Sequence, residues 1–302
     1  MPLQLGVDLG GTKIAAVVLG ADGRVAWEDR LATPRGDYAG TIEAIASLVD
    51  AGERAAGAAC TVGIGMPGAI SPATGLVKNA NSVWLNGRAL HHDLEARLAR
   101  PVRLANDANC LAVSEASDGA AAGAHAVFGV ILGTGCGGGI ALGGHAHLGA
   151  NAIAGEWGHN PLPWPQDDER PGPPCYCGRS GCLETFVSGP GLAAAHERRT
   201  GTRLSGEAIA AAAGAGDAAA SETIDAWLDR LARGLATIIN VLDPDVIVVG
   251  GGLSRIARLY SDVPELWRRW VFSDRVDTRV LPALHGDASG VRGAARLWAR
   301  PS

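Results

Sequence analysis

Gly6-Val7-Asp8-Leu9-Gly10-Gly11-Thr12 and Gly129-Val130-Ile131-Leu132-Gly133-Thr134-Gly135 decide the fold, because each is an apolar strand that runs into a glycine turn. Each turn leads to a further strand pattern, residues 14–19 in the first case and 140–142 in the second. A strand–glycine turn–strand unit that recurs after about 123 residues reads as a weak internal repeat. Two lobes with matching phosphate loops would explain it; chance similarity between glycine-rich hairpins is the alternative.

Outward from the first turn, Asp22-Gly23 marks a hairpin into a strand over 25–30. A helix is expected over 40–55, with Ile42, Ile45, Leu48 and Val49 on one face. A short buried strand, 61–65, ends in Met66-Pro67-Gly68. Residues 92–98 read as helix, 102–104 as strand and 108–117 as helix. Residues 151–183 are rich in Pro, Gly and Cys and look irregular, and so long a loop needs a functional or metal-bound reason to be ordered. Short helices over 206–220 precede a long one with Ile224, Trp227, Leu228, Leu231, Leu235, Ile238 and Leu242 at helical spacing. Asp243-Pro244 stops it, a buried strand over 246–249 ends in Gly250-Gly251-Gly252, and a last helix covers 290–299.

The 302 residues suggest about two domains, and 47% apolar residues lie in the globular range. No apolar run approaches the roughly 20 residues of a membrane span. Met1 to Leu9 enters a strand pattern without a basic leader, so a cytoplasmic protein is expected. The net charge of −5 is spread over interleaved acidic and basic residues, with no basic stripe for nucleic acid. An anionic substrate remains admissible, since backbone amides and a metal ion hold phosphate without net positive charge.

Among the glycine motifs, Gly6 and Gly11 have the separation of a phosphate-binding P-loop, but Thr12-Lys13 is not the required Lys-Ser/Thr pair. Gly133-Thr134-Gly135-Cys136-Gly137-Gly138 fits a dinucleotide pattern that requires a helix after it. Here Ile140-Ala141-Leu142 and Gly143-Gly144 follow as a hairpin, which excludes that reading. Exposed amides of a glycine hairpin still form an anion nest. Asp8 adds a carboxylate for hydrated Mg²⁺, and Thr12 and Lys13 add a hydroxyl and an ammonium; an ordinary tight hairpin is the other reading. In Leu104-Ala105-Asn106-Asp107-Ala108-Asn109, Asp107 at a strand end is either a catalytic base or a cap for the following helix.

His159, Cys175, Cys177 and Cys182 form a Cys₃His set, and tetrahedral zinc suits three thiolates and one imidazole. Four protein ligands make a closed, structural site; buried or redox-active thiols are the alternative. Folding the loop around zinc would gather Glu156, His159 and Glu184, good acceptors for sugar hydroxyls; an ordinary surface carboxylate is the other reading of Glu184.

These residues together resemble the ROK family (repressors, open reading frames, kinases), in particular its bacterial fructokinases or manno(fructo)kinases, over essentially the whole chain. The motifs are Asp8–Lys13, Lys78–Asn81, Asn106-Asp107, Leu132–Ile140, Gly149, Gly155–His159, the Cys loop and Val249–Gly252. Trp84-Leu85-Asn86-Gly87 and Asn160-Pro161-Leu162-Pro163-Trp164 look like the fructokinase branch. The resemblance implies an α/β, two-lobed actin-like ATPase (ribonuclease H-like) fold with an interlobe cleft and a zinc-bound loop. Residues 1–117 plus 289–302 would form the first lobe and 118–288 the second.

It further implies ATP-dependent phosphorylation of D-fructose, with D-mannose second, to the 6-phosphate. Rival acceptors are glucose and the N-acetylhexosamines; a non-catalytic sugar sensor is the rival from another class. Asp107 would be the base. Asp8, Gly10, Gly11, Thr12, Lys13, Thr134, Gly135, Gly251 and Gly252 would serve ATP. Gly68, Asn81, Asn106, Glu156, His159 and Glu184 would hold the sugar, with one His159 nitrogen on zinc and the other towards a hydroxyl. Mg²⁺ with ATP, structural Zn²⁺ and a homodimer complete the expectation.

Overall fold

β1 (Gln4–Leu9) and β2 (Lys13–Leu19) pair antiparallel with Gly6 opposite Val17, so the glycine turn at 10–12 joins them as a hairpin. The structure, a computed structural model, describes residues 3–299. β3 (Val25–Ala32) completes the meander, and α1 (Tyr38–Ala56) follows with Asp37 capping the Gly40 amide. Ile42, Ile45, Leu48 and Val49 are buried on its inner face, as the spacing requires. β4 (Thr61–Met66), the small pair β5 (Ala69–Ile70) and β6 (Val77–Lys78), α2 (Leu90–Leu98), β7 (Val102–Asn106) and α3 (Asp107–Asp118) come next. The first sheet has the order β3-β2-β1-β4-β7, with β1, β4 and β7 parallel.

β8 (Ala126–Leu132), β9 (Cys136–Leu142) and β10 (His145–Ala146) open the second sheet. Then come α4 (Glu184–Val187), α5 (Gly189–Thr200), α6 (Gly206–Gly214) and the 25-residue α7 (Ala218–Leu242). β11 (Val246–Gly250), α8 (Arg258–Trp267), β12 (Arg279–Pro282) and α9 (Ser289–Arg296) finish the chain. The order β10-β9-β8-β11-β12 matches the first sheet strand for strand, with β8, β11 and β12 again parallel. The repeat therefore extends over both sheets, beyond the two hairpins visible in the sequence. Two α/β units with mixed sheets of the actin-like ATPase type are the result.

By packing, one unit comprises Met1–His125, Gly139–Gly155 and Leu284–Ser302, and the other Ala126–Gly138 and Glu156–Ala283. These borders differ from 117/118 and 288/289, for identifiable reasons. The Ile140 amide donates to Asn109 Oδ1 at 3.0 Å and Lys78 Nζ to the Asn151 carbonyl at 2.8 Å, which hold 139–155 in the first unit. Fully buried Glu115 accepts from the amides of Leu284 and His285 and from Ser289 Oγ, so the return to that unit starts before α9. Residues 1–2 and 300–302 of the expected first lobe lie outside the described residues. No helix among the described residues is long and apolar enough to cross a membrane.

Candidate active site

In the first unit, the turn after β1 is fixed by backbone bonds. The Gly10 amide donates to the Lys13 carbonyl at 3.0 Å, and the Thr33 amide to that of Thr12 at 3.0 Å. Gly11, Thr12 and Lys13 are left exposed. Burial pushes the Asp8 carboxyl up to about 6 despite the Lys13 ammonium. A cation nearby would favour its ionised form, so the residues fit hydrated Mg²⁺ arriving with ATP. Asp8 and Asp107 share one neighbourhood, because burial first and then both carboxylates hold the Cys110 thiol well above its ordinary value.

Asp107 is the first residue of α3. Asn106, in extended conformation, is the N-cap, and its Oδ1 accepts from the Ala108 amide at 2.9 Å. Asp107 Oδ1 also approaches that amide, at 2.7 Å. Capping therefore does not depend on Asp107 alone. Asn106 Nδ2 donates to the Gly68 carbonyl at 3.3 Å. Asn81 is exposed next to buried Ser82, and a Cβ on Gly11 would lie 3.6 Å from Ser82 Oγ, which brings 81–82 beside the glycine turn.

In the second unit, Glu184 at the start of α4 accepts from the Cys136 amide at 2.8 Å, joining the glycine turn to the end of the Cys loop. Trp157 is buried against Phe128, ring centroids 5.6 Å apart, and its Nε1 donates to the Gly137 carbonyl at 3.1 Å. This packing presses the backbone of 156–159 onto β9. A Cβ at Gly158 would fall 2.1 Å from the Cys136 carbonyl oxygen, so only glycine fits. Glu156 and His159 flank that contact.

His159, Cys175, Cys177 and Cys182 present ligand atoms all within 4.8 Å of one another. Zinc bonds of about 2.3 Å to sulfur and 2.0–2.1 Å to nitrogen give tetrahedral S···N and S···S spacings of about 3.6 and 3.8 Å. Cys175 Sγ is 3.6 Å from His159 Nδ1, and Cys177 Sγ is 3.6 Å from Cys182 Sγ. The four residues fit zinc, and the sulfur spacing is far from that of a disulfide. His159 Nε2, expected to face the sugar, lies 3.0 Å from Tyr176 Oη. Tyr176 is 77% exposed, and its hydroxyl is pushed up to about 12 by partial burial first and then by the charges of Glu184, Cys175 and Glu156. Tyr176 carries no motif, and no sequence signal marked it.

A cavity of about 600 Å³ in the same unit is lined by Thr134 and Gly252, together with Arg203, Ser205, Glu207 and Pro190. Gly251, beside Gly252, can only be glycine: its φ is +86°, and a Cβ there would lie 2.4 Å from the Leu132 carbonyl oxygen. The loop residues Arg203, Ser205 and Glu207 belong to no motif, and the sequence reading did not single them out.

The two stretches read as marks of the fructokinase branch have scaffold roles. Asn86 clamps Ala80 through bonds of 2.9 Å to its amide and its carbonyl, and Trp84 Nε1 donates to Thr41 Oγ1. The Asn160 backbone carbonyl accepts from the Leu183 amide at 2.8 Å, and Trp164 stacks on Trp270 at 5.0 Å. Residues of this kind report how a loop is held and carry little about which hydroxyls are read.

Comparison with known proteins adds three findings. The sequence pattern of the ROK family matches residues 4–300. The N-acetyl-D-glucosamine kinase of Photobacterium profundum is 38% identical over 299 residues, 98% of this chain and 99% of that one. Two solved structures are each 31% identical. The ROK hexokinase of Thermus thermophilus has a TM-score of 0.85, with 97% and 96% of the chains covered. The Streptomyces griseus ROK glucokinase, in complex with glucose and AMPPNP, has a TM-score of 0.77 with 98% of each chain covered. A fructokinase subtype gains no support from these relatives.

Proposed function

This chain belongs to the ROK family and is an ATP-dependent sugar kinase, and from that premise we propose that it transfers the γ-phosphoryl group of ATP to the 6-hydroxyl of N-acetyl-D-glucosamine. The observation that carries the kinase chemistry is the cavity in which Thr134 of one glycine turn and Gly252 of another line a single space of about 600 Å³, of a size for a nucleoside. The choice of acceptor rests on the 38% identical N-acetyl-D-glucosamine kinase.

Phosphoryl transfer asks for positioning and charge neutralisation more than covalent help. The amides of 10–12 and 133–135 supply anion nests for the phosphates, and Lys13 adds an ammonium. Magnesium held near Asp8 would neutralise phosphate charge when bound. Asp107 would orient the sugar hydroxyl and accept its proton as general base. Asn81, Asn106, Glu156, His159 and Glu184 would hold the sugar, and Gly68 shapes the turn that receives the Asn106 side chain. His159 would hold zinc through Nδ1, which would leave its Nε2 as an N–H donor directed at a hydroxyl oxygen. We place the protein in the cytoplasm and assign it a homodimer on the resemblance alone.

The test is ADP release from ATP-Mg²⁺ with N-acetyl-D-glucosamine, N-acetyl-D-mannosamine, glucose, mannose and fructose offered singly. Turnover led by N-acetyl-D-glucosamine supports the proposal. Turnover led by glucose or fructose keeps the kinase and overturns the acceptor; none with any sugar favours a sensor.

A further inference from the structure

A second cavity, of about 580 Å³, lies in the second unit and takes no part in the chemistry above. Arg170, Arg198, Arg199 and Arg230 line it, with Asp168 and Glu169 as the only carboxylates on the lining, so it is positive in a chain of net charge −5. Arg230 is preorganised. Its Nε donates to buried Glu169 at 2.7 Å, its guanidinium lies 5.6 Å from the Phe186 ring centre, and its side chain is 13% exposed. Neither terminal nitrogen of Arg230 has an acceptor among the described residues, and Arg198 forms no ion pair among them. Arg199 is held by Glu222, and Arg170 reaches Asp167 only at 4.0 Å. A fixed guanidinium with two open N–H edges, beside a second unpaired one, matches the geometry of a phosphate group.

We propose that this arginine-lined cavity is a binding site for a small phosphorylated metabolite. The volume is in the range of small-molecule sites, and Pro171, Pro173 and Phe186 give an apolar wall for the body of such a ligand. The site touches two segments that lead to the Cys loop. Residues 168–173 run directly into Cys175, and a Cβ on Gly172 would lie 2.5 Å from the Gly181 Cα. Phe186 stands in α4, two residues after Glu184. A ligand that binds only this folded arrangement stabilises it by mass action and slows loss of zinc from the loop.

The test is isothermal titration of inorganic phosphate into the full zinc-loaded chain, with AMPPNP and Mg²⁺ saturating the nucleotide site. AMPPNP binding is measured first, so a failure of the kinase reading shows separately. One phosphate per chain should bind, at least tenfold more weakly in the double variant Arg170→Glu/Arg198→Glu, whose side chains are exposed in the folded chain. Phosphate should also slow zinc transfer to a chelator in the wild type and not in the variant. No phosphate bound, or equal affinity in the variant, overturns the site; binding with unchanged zinc transfer overturns the link to the loop. Crystals soaked in selenate add a direct readout, an anomalous peak within hydrogen-bonding distance of Arg230 and Arg198.

Discussion

Glu169→Gln is expected to loosen the Cys loop from α7 and destabilise the second unit by about 3–5 kcal/mol, the usual cost of leaving one partner of a buried ion pair alone. Glu169 is 6% exposed and accepts four hydrogen bonds: from Arg233 at 2.8 and 2.7 Å, from Arg230 at 2.7 Å and from the Gln166 amide at 2.8 Å. Arg233 is 1% exposed and also donates to the carbonyls of Pro163 and Trp164, while Asp229 Oδ2 stands 3.0 Å from its Nε without lying along the N–H. Gln would keep the shape, turn one acceptor into a donor facing a guanidinium, and leave buried positive charge underpaired. Burial alone would raise the Glu169 carboxyl, but the two arginines and the Gln166 amide bring it down to about 2 from an ordinary 4.5. A depressed carboxylate stabilises fully above the unfolded value, so the wild-type advantage over the Gln variant should hold above about pH 4.5 and fade towards pH 2. The assay is thermal and urea unfolding of both proteins at pH 7 and pH 4, with zinc release to a chelator in parallel. At pH 7 the variant should melt roughly 10 °C lower and release zinc faster. A melting point within about 2 °C of wild type would refute the reasoning.

Asp107→Asn should bind ATP and sugar normally and lower kcat at least about a hundredfold; single-turnover kinetics decide, and near-normal turnover removes Asp107 as the base. Purified protein should contain about one zinc per chain, lost in Cys177→Ser together with sugar affinity, as metal analysis and sugar titration would report. Tyr176→Phe should strengthen sugar binding about two- to tenfold, because His159 Nε2 no longer has a competing acceptor worth about 0.5–1.5 kcal/mol; weaker binding would mean that the Tyr176 hydroxyl itself holds the sugar. Gly158→Ala should fold poorly and express mainly as aggregate, since its Cβ has no room beside the Cys136 carbonyl; a wild-type melting curve would contradict that packing.

Much of this was legible in the sequence because its signals are local. The glycine turns after β1 and β8, the Cys-x-Cys-x₄-Cys loop and the amphipathic face of α7 each lie within one stretch of chain. α5 was missed although Ser188, Pro190 and Gly201 mark its two ends, because its Gly-Pro-Gly start reads as a turn. α8 contains Pro264, and β12 is a four-residue edge strand ending in proline, so neither shows a pattern against its surroundings. Tyr176, Arg203, Glu207 and the cavity arginines become visible only when segments distant in sequence meet. The sugar is the least legible feature. Hydroxyl stereochemistry is read by hydrogen-bond geometry, and the residues that suggested fructose, Asn86 and Trp164 among them, prove to be clamps within the scaffold.

The central claim is transfer of phosphate to a 6-hydroxyl, and proton-coupled ³¹P NMR of the purified protein with ATP-Mg²⁺ and N-acetyl-D-glucosamine tests it most directly. The account predicts a new phosphomonoester signal split into a triplet by the two protons on C6, growing as ADP appears. A doublet, from phosphate on C1, or ADP accompanied only by inorganic phosphate would contradict it.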